Sequence, residues 1–327
     1  MINVHELTKV YGDGTRAVDG VSFEVTEGEM YGFLGPNGAG KTTVIRILVT
    51  LLGPSSGTAS VAGYDVERFP ECVRRMFGYA AQFVAIDRDL TARENLIISA
   101  RLQGMTSARA RQRADELLER FSLSSAANRK AGVLSGGTRR RLDLAQALVH
   151  EPPLVFLDEP TTGLDPENRH ALWSYLREIN GAGCTVFLTT QYLEEADRLC
   201  ERIAIVDRGR VAVIGSPAEL KAQIGVEVVT IQLDDRNDTA TLARAAAAID
   251  GLPGVSRTAT PSNGELGLAL NDAGSRLSDL IRALDSTGVK VSSLSMSRPT
   301  LDEVFLKYTG MRIANTDGRQ SAEAIRG

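Results

Sequence analysis

The chain has 327 residues, 43% of them hydrophobic and 24% charged, an ordinary globular balance that fits about two packed domains. Its 37 Lys and Arg against 41 Asp and Glu leave a net charge of −4, which excludes a global attraction to nucleic acid. Cys72, Cys184 and Cys200 are scattered, with no CxxC and no nearby histidine pair, so they read as small buried apolar groups in a reducing compartment rather than as zinc ligands.

The N-terminus, MINVHELTKVYGDG, lacks the basic-then-apolar pattern of a signal peptide, and no stretch approaches the roughly 18 apolar residues that span a bilayer. Residues 1 to about 87 read as β-rich with one helix: AVDGVSFEVTEGEMYGFLG alternates β-favouring runs with glycine turns, and a helix follows from Lys41 to about Leu52. Residues 88 to about 150 change to helical apolar spacing and form a helical insertion, with Thr91 and Glu94 as a capping box. Strand signals return at PLVFLDEP and TVFLTT, with a helix between them, the alternation of a parallel α/β sheet. RIAIVDRGRVAVIGS is a hairpin turning at Arg208-Gly209, and Pro217 opens a short helix.

From about Val226 the pattern resets to β-α-β-β-α-β, a small ferredoxin-like sandwich, and a last helix starts at the capping box Thr300 and Glu303. The predicted organisation is an α/β cassette over 1–222, an accessory α+β domain over 223–311 and a polar, disordered tail over 312–327.

GPNGAGKT fits G-x4-G-K-[ST] between an apolar strand and a helix. Over Gly35, Pro36, Asn37, Gly38, Ala39, Gly40, Lys41, Thr42 and Thr43, backbone N–H groups turn inward around phosphate oxygens at the positive end of a helix. Lys41 neutralises the β- and γ-phosphates, and the Thr42 hydroxyl is a Mg²⁺ ligand. LVFLDEP delivers Asp158 and Glu159 at the C-terminal end of an apolar strand, where α/β sheets bind ligands. Asp158 holds the Mg²⁺ shell and Glu159 is placed to act as general base on water; two adjacent carboxylates near phosphates themselves call for the metal.

With VLSGGTRRRLDLAQALVHEPPLVFLDEPTTGLDP added, the order of motifs over residues 1 to about 220 resembles the ATP-binding subunits of ABC transporters. The resemblance implies a P-loop ABC ATPase fold that binds ATP and Mg²⁺ and hydrolyses ATP. It also implies a Q-loop glutamine at Gln82 that senses Mg²⁺, a D-loop at Leu164 and Asp165, and an aromatic, Tyr11, stacked on adenine. Ser135 with the amides of Gly136 and Gly137 forms a second anion-binding helix terminus. In the family that terminus caps the γ-phosphate held by the opposite subunit, so the chain is expected to form a homodimer. TTQYLEEAD and PTLDEVFLKYTG, with the extra C-terminal domain, look like the daunorubicin/doxorubicin-resistance type. That type implies export of a hydrophobic drug or lipid-like substrate through a separate membrane permease, with this subunit peripheral on the cytoplasmic side. Alternatives are a soluble ABC ATPase or a slow ATP switch uncoupled from transport.

Two positions depart from the family pattern. Thr138 follows LSGG where glutamine is usual, and Gln191 stands where most members carry the switch histidine. An amide still donates a hydrogen bond to the γ-phosphate but carries no charge near neutral pH, so hydrolysis is expected without a histidine-type titration. The bland alternative makes Gln191 a cap of the helix YLEEADRL. Arg139, Arg140 and Arg141 read either as a phosphate patch or as a solvated helix face over Leu142 and Leu144.

Overall fold

Glycine turns between short β-favouring runs close the N-terminal segment into an antiparallel sheet in a computed structural model that describes residues 1–224, 227–233, 239–250, 255–257, 265–270, 273–297 and 299–310. The chain divides into two units, Met1–Pro217 with the segment from Tyr308, and Ala218–Lys307. No helix among the described residues is long and apolar enough to cross a membrane.

In the first unit, β1 (Ile2–Val10), β2 (Arg16–Val25), β3 (Met30–Leu34), α1 (Lys41–Leu48), β4 (Ser56–Val61), β5 (Tyr64–Asp65), α2 (Pro70–Arg75) and β6 (Phe77–Ala80) precede the helical insertion. The short α2, opened by Pro70, has no counterpart in the sequence reading, because six residues are too few to show a helical period. The insertion holds α3 (Ala92–Leu102), α4 (Ser107–Arg120) and α5 (Gly136–Ala147). Thr91 and Glu94 form the expected capping box on α3. Then come β7 (Leu154–Asp158), α6 (Pro166–Gly181), β8 (Thr185–Thr190), α7 (Leu193–Leu199), β9 (Arg202–Asp207) and β10 (Arg210–Gly215), the last two paired antiparallel around Arg208 and Gly209, both at positive φ.

One sheet runs β2-β1-β4-β5 and the other β10-β9-β3-β8-β7-β6. The second is parallel from β9 to β6. Its inner strands are buried on both faces, so MYGFL, LVFLD and TVFLTT read as nearly continuous apolar runs instead of alternating ones. Phe23 of β2 stacks on Tyr31 and Phe187 at 5.7 and 5.8 Å, joining the two sheets through one aromatic cluster. Val44, Ile45, Ile47 and Leu48 of α1 are buried in the same core, which fixes the helix behind the loop that precedes it.

The second unit begins within α8 (Pro217–Ala222), continues through β11 (Glu227–Leu233), α9 (Thr239–Asp250), β12 (Val255–Arg257), β13 (Glu265–Leu270), α10 (Ala273–Ser286) and β14 (Val291–Ser297), and ends within α11 (Leu301–Thr309). Its strands run β12-β13-β11-β14, all antiparallel, which is the ferredoxin-like order. Alternate residues Val229, Ile231, Leu233 and Leu266, Leu268, Leu270 meet Ala245 and Ile249 of α9 and Leu280 and Leu284 of α10 in a separate core. Thr300 and Glu303 make the reciprocal cap of α11. The turn PSNG and the tail 312–327 lie outside the described residues.

Candidate active site

Strands β3, β8, β7 and β6 lie side by side and point the same way. Their C-terminal ends therefore present, in spatial order, the Gly35–Thr43 loop, Gln191, the pair Asp158 and Glu159, and Gln82 two residues beyond Ala80. Residues spread from Gly35 to Gln191 in sequence reach one edge because the sheet is parallel.

Gly40 at the N-cap of α1 has φ 99°, and a Cβ there would lie 2.3 Å from the Ala17 carbonyl oxygen, so the turn into α1 admits only glycine. Lys41 is 4% exposed. Its Nζ donates to Gly35 O at 2.8 Å and Pro36 O at 3.1 Å, and pairs with Glu159 Oε1 at 3.1 Å. Pro36, Asn37, Gly38 and Ala39 form the turn, closed by Ala39 N on Pro36 O. Thr43 Oγ1 lies 3.2 Å from Tyr11 Oη, which places the Tyr11 ring beside the loop, with Lys9 Nζ 5.9 Å from the ring centroid.

Thr42 Oγ1 donates to Asp158 Oδ1 at 3.3 Å, and Thr189 Oγ1 donates to the same oxygen at 2.6 Å. Asp158 Oδ2 is buried and has no hydrogen-bond partner among the described residues. An orphaned carboxylate oxygen next to a threonine hydroxyl and a lysine loop is a hard-oxygen donor set that fits Mg²⁺. Glu159 has φ 47°, an unfavourable backbone for a residue with a Cβ, held by its N–H donating to Thr189 O and Oγ1, both at 3.1 Å. Its Oε2 accepts from Gln82 Nε2 at 3.4 Å and Thr162 Oγ1 at 3.3 Å. Burial and the neighbouring Asp158 charge push the Tyr79 phenol of β6 up to about 12, so it remains neutral.

Gly35 N donates to Thr190 O at 3.2 Å, which ties the loop to the residue before Gln191. Gln191 is half-buried, and no hydrogen bond to its side chain is found among the described residues. The N-cap of α7 is Tyr192, without a side-chain cap, so Gln191 does not cap that helix.

Ser135, Gly136, Gly137 and Asp165 gather at a second place, the adjoining N-termini of α5 and α6. Ser135 caps α5 by accepting from Thr138 N at 3.2 Å, and its hydroxyl lies 2.8 Å from Thr138 Oγ1, so Thr138 faces Ser135. Asp165 caps α6, accepting from Asn168 N at 2.9 Å and Nδ2 at 2.7 Å, and these bonds lower its pKa. A Cβ on Gly137 would lie 2.5 Å from Asn168, so the two helix ends touch only because residue 137 is glycine. No described hydrogen bond joins this group to the Lys41 loop.

Three polar side chains near the site are buried where the sequence gives no such expectation. Arg140 is buried, with four hydrogen bonds, instead of belonging to a solvated face; Asp143 is its partner. The i,i+3 pairing of opposite charges on the helix face of Gly137, Leu144 and Ala147 was the available signal. Glu195 on α7 is fully buried, accepts from Trp173 Nε1 at 3.1 Å and leaves Oε2 unpartnered among the described residues; burial raises its pKa.

Comparisons with known proteins cover both units. A family described as ABC transporter matches residues 18–162, and one described as ATP-binding protein DrrA1-3-like, C-terminal domain, matches residues 215–309. The chain is similar to the daunorubicin/doxorubicin resistance ATP-binding protein DrrA of Streptomyces peucetius, 45% identical over 98% of this chain and 96% of that one. It is also similar to the doxorubicin resistance ATP-binding protein DrrA of Mycobacterium tuberculosis, 42% identical over 94% and 92% of the two chains. The Nod factor export ATP-binding protein I of Paraburkholderia xenovorans is 44% identical over 70% of this chain and 76% of its own. Among solved structures, a dimeric post-hydrolysis ATP-binding cassette bound to ADP and Pi is 29% identical with a TM-score of 0.61, covering 66% of this chain and 98% of that one.

Proposed function

Because the chain belongs to the ABC transporter ATP-binding proteins of the daunorubicin/doxorubicin-resistance family, we propose that it hydrolyses ATP to drive export of a hydrophobic drug or lipid-like substrate through a separate membrane permease. The observation that carries this reading is the convergence of Lys41 Nζ on Glu159 Oε1 at 3.1 Å, with Thr42 and Asp158 joined beside them.

In this reading Lys41 and the loop amides bind the phosphates, and Tyr11 covers the adenine. Thr42, Asp158 and Gln82 hold Mg²⁺, which when bound neutralises phosphate charge. Glu159 orients a water and accepts its proton, with Gln82 and Thr162 keeping the carboxylate aimed. Gln191 donates a hydrogen bond to the γ-phosphate from the end of β8. Ser135, Gly136 and Gly137 act on the nucleotide of a second copy, beside Asp165, so the working unit is a homodimer. A cleft of about 480 Å³ between α3, α5 and the strand β6 is lined by Arg74, Tyr79, Ala85, Gln103, Asp143 and His150. Its chain neighbours Phe83 and Leu102 are 84% and 82% exposed. This cleft, which the 66% exposed Leu51 also lines, is the proposed seat of the permease, and in this reading the subunit is peripheral on the cytoplasmic face of the membrane.

Steady-state turnover of Mg·ATP by the chain with its permease tests the reading. Glu159→Gln is expected to lower kcat by roughly 100-fold or more while ATP still binds. Wild-type turnover that survives this substitution unchanged overturns Glu159 as the base.

A further inference from the structure

One guanidinium on the helix α5 reaches both the strand end that carries Glu159 and the loop that carries Gln82. Arg140 Nε donates to Pro160 O at 2.9 Å and Nη2 to Asp158 O at 3.2 Å, so the carbonyls on either side of Glu159 rest on the same side chain. Nη1 donates to Ala81 O at 2.5 Å and to Asp143 Oδ2 at 2.9 Å. The other Asp143 oxygen, Oδ1, accepts from Ala85 N at 3.1 Å. The two side chains thus grip the Gln82 loop on both sides of Gln82, at Ala81 and at Ala85. They are 5% and 4% exposed, so water does not compete for these bonds.

Within the function proposed above, on which this rests, we infer that Arg140 and Asp143 are a positioning pair: they lock the Gln82 loop to the backbone of Glu159, so that a shift of the loop at the cleft is passed to the general base. Three features support this. Asp143 and Ala85 both line the cleft, so the pair has one end at the proposed permease surface. Glu159 sits at φ 47°, a conformation that persists only when neighbouring atoms over-determine it, and the carbonyls before and after it are the ones Arg140 holds. The planar fork of arginine spans three carbonyls at fixed angles, so moving Ala81 O moves the guanidinium relative to Asp158 O and Pro160 O. Lysine offers a single nitrogen and cannot do this.

Full-length Arg140→Gln, Arg140→Lys and Asp143→Ala are compared with wild type by ATPase kinetics, fluorescent-ATP titration and amide hydrogen exchange. Arg140→Gln is expected to lower kcat on the order of 10- to 100-fold, the cost of a small misplacement of a reacting group. The ATP dissociation constant should stay within about twofold, since the pair touches no residue of the Lys41 loop and meets Asp158 only at its backbone carbonyl. In Asp143→Ala, exchange should rise together in segments 82–85 and 159–162, although Asp143 itself contacts only the first. Exchange that rises in 82–85 alone, or kcat that is unchanged while exchange rises, overturns the inference. If Arg140→Gln does not fold, Arg140→Lys carries the same kinetic test, because it keeps the charge beside Asp143 and loses the fork. Glu159→Gln run in parallel separates the two claims: retained turnover there defeats the assignment of the base, whereas coupled exchange in Asp143→Ala stands independently of it.

Discussion

Gln191 follows Thr190, whose carbonyl accepts from Gly35 N at 3.2 Å, so any motion of the phosphate loop reaches it through one hydrogen bond. At this place an imidazole changes charge across its ordinary pKa of about 6.5, whereas an amide does not. Wild-type kcat is therefore expected to be flat with respect to this residue between pH 6 and 8, and Gln191→His to introduce a limb there. Gln191→Ala removes the donor and should lower kcat on the order of 10-fold or more. His150, its pKa lowered chiefly by burial, lines the cleft. A wild-type limb near pH 6.5 that Gln191→Ala abolishes would therefore count against the amide, and a limb that survives Gln191→Ala points to another group.

At the scale of elements, α6 and α7 are pinned together beneath the site by Trp173 and the buried Glu195, and α5 meets α6 at Gly137. Glu195 has a raised folded pKa, caused by burial, so the native state keeps a proton that the unfolded chain gives up. Its contribution to stability is present below the unfolded pKa and is lost as pH rises toward the folded value. Glu195→Gln keeps an acceptor for Trp173 and removes the ionisation. Urea unfolding at pH 5 and pH 8 should show the variant gaining on wild type at the higher pH; an equal difference at both values defeats this. Gly137→Ala forces a methyl against Asn168 and is expected to cost about 1–3 kcal/mol, read by the same method, with Asn168→Gly restoring most of it. Such contacts mark where sequence legibility stops. GPNGAGKTT and LVFLDEP were readable because strand, turn and helix signals are local, and the parallel order of β3, β8, β7 and β6 then had to bring them together. The burial of Arg140 depended on which side of α5 turns toward the sheet, and the pairing of Glu195 with Trp173 spans two helices, so neither has a local signature.

For the whole molecule, the two groups of functional residues pose one question. Lys41 and Gln82 both bond Glu159, and Thr42 beside Lys41 bonds Asp158, whereas Ser135 and Gly136 are exposed at the start of α5 with no described bond to that cluster. In the homodimer proposed above, this exposed end of α5 meets the nucleotide of a second copy. In a Glu159→Gln background, Mg·ATP should then convert the chain from monomer to dimer, seen as a doubling of mass by light scattering. Gly136→Asp discriminates between a phosphate contact and mere proximity. An acid in the first turn suits the helix dipole, so α5 is not weakened, but it places a negative charge where a phosphate must approach. ATP should still bind each monomer, because the Lys41 loop is untouched, and the ATP-driven dimer should be lost. A dimer that forms equally well with Gly136→Asp would mean that the start of α5 does not touch the nucleotide across the interface, and that the two copies associate through other surfaces.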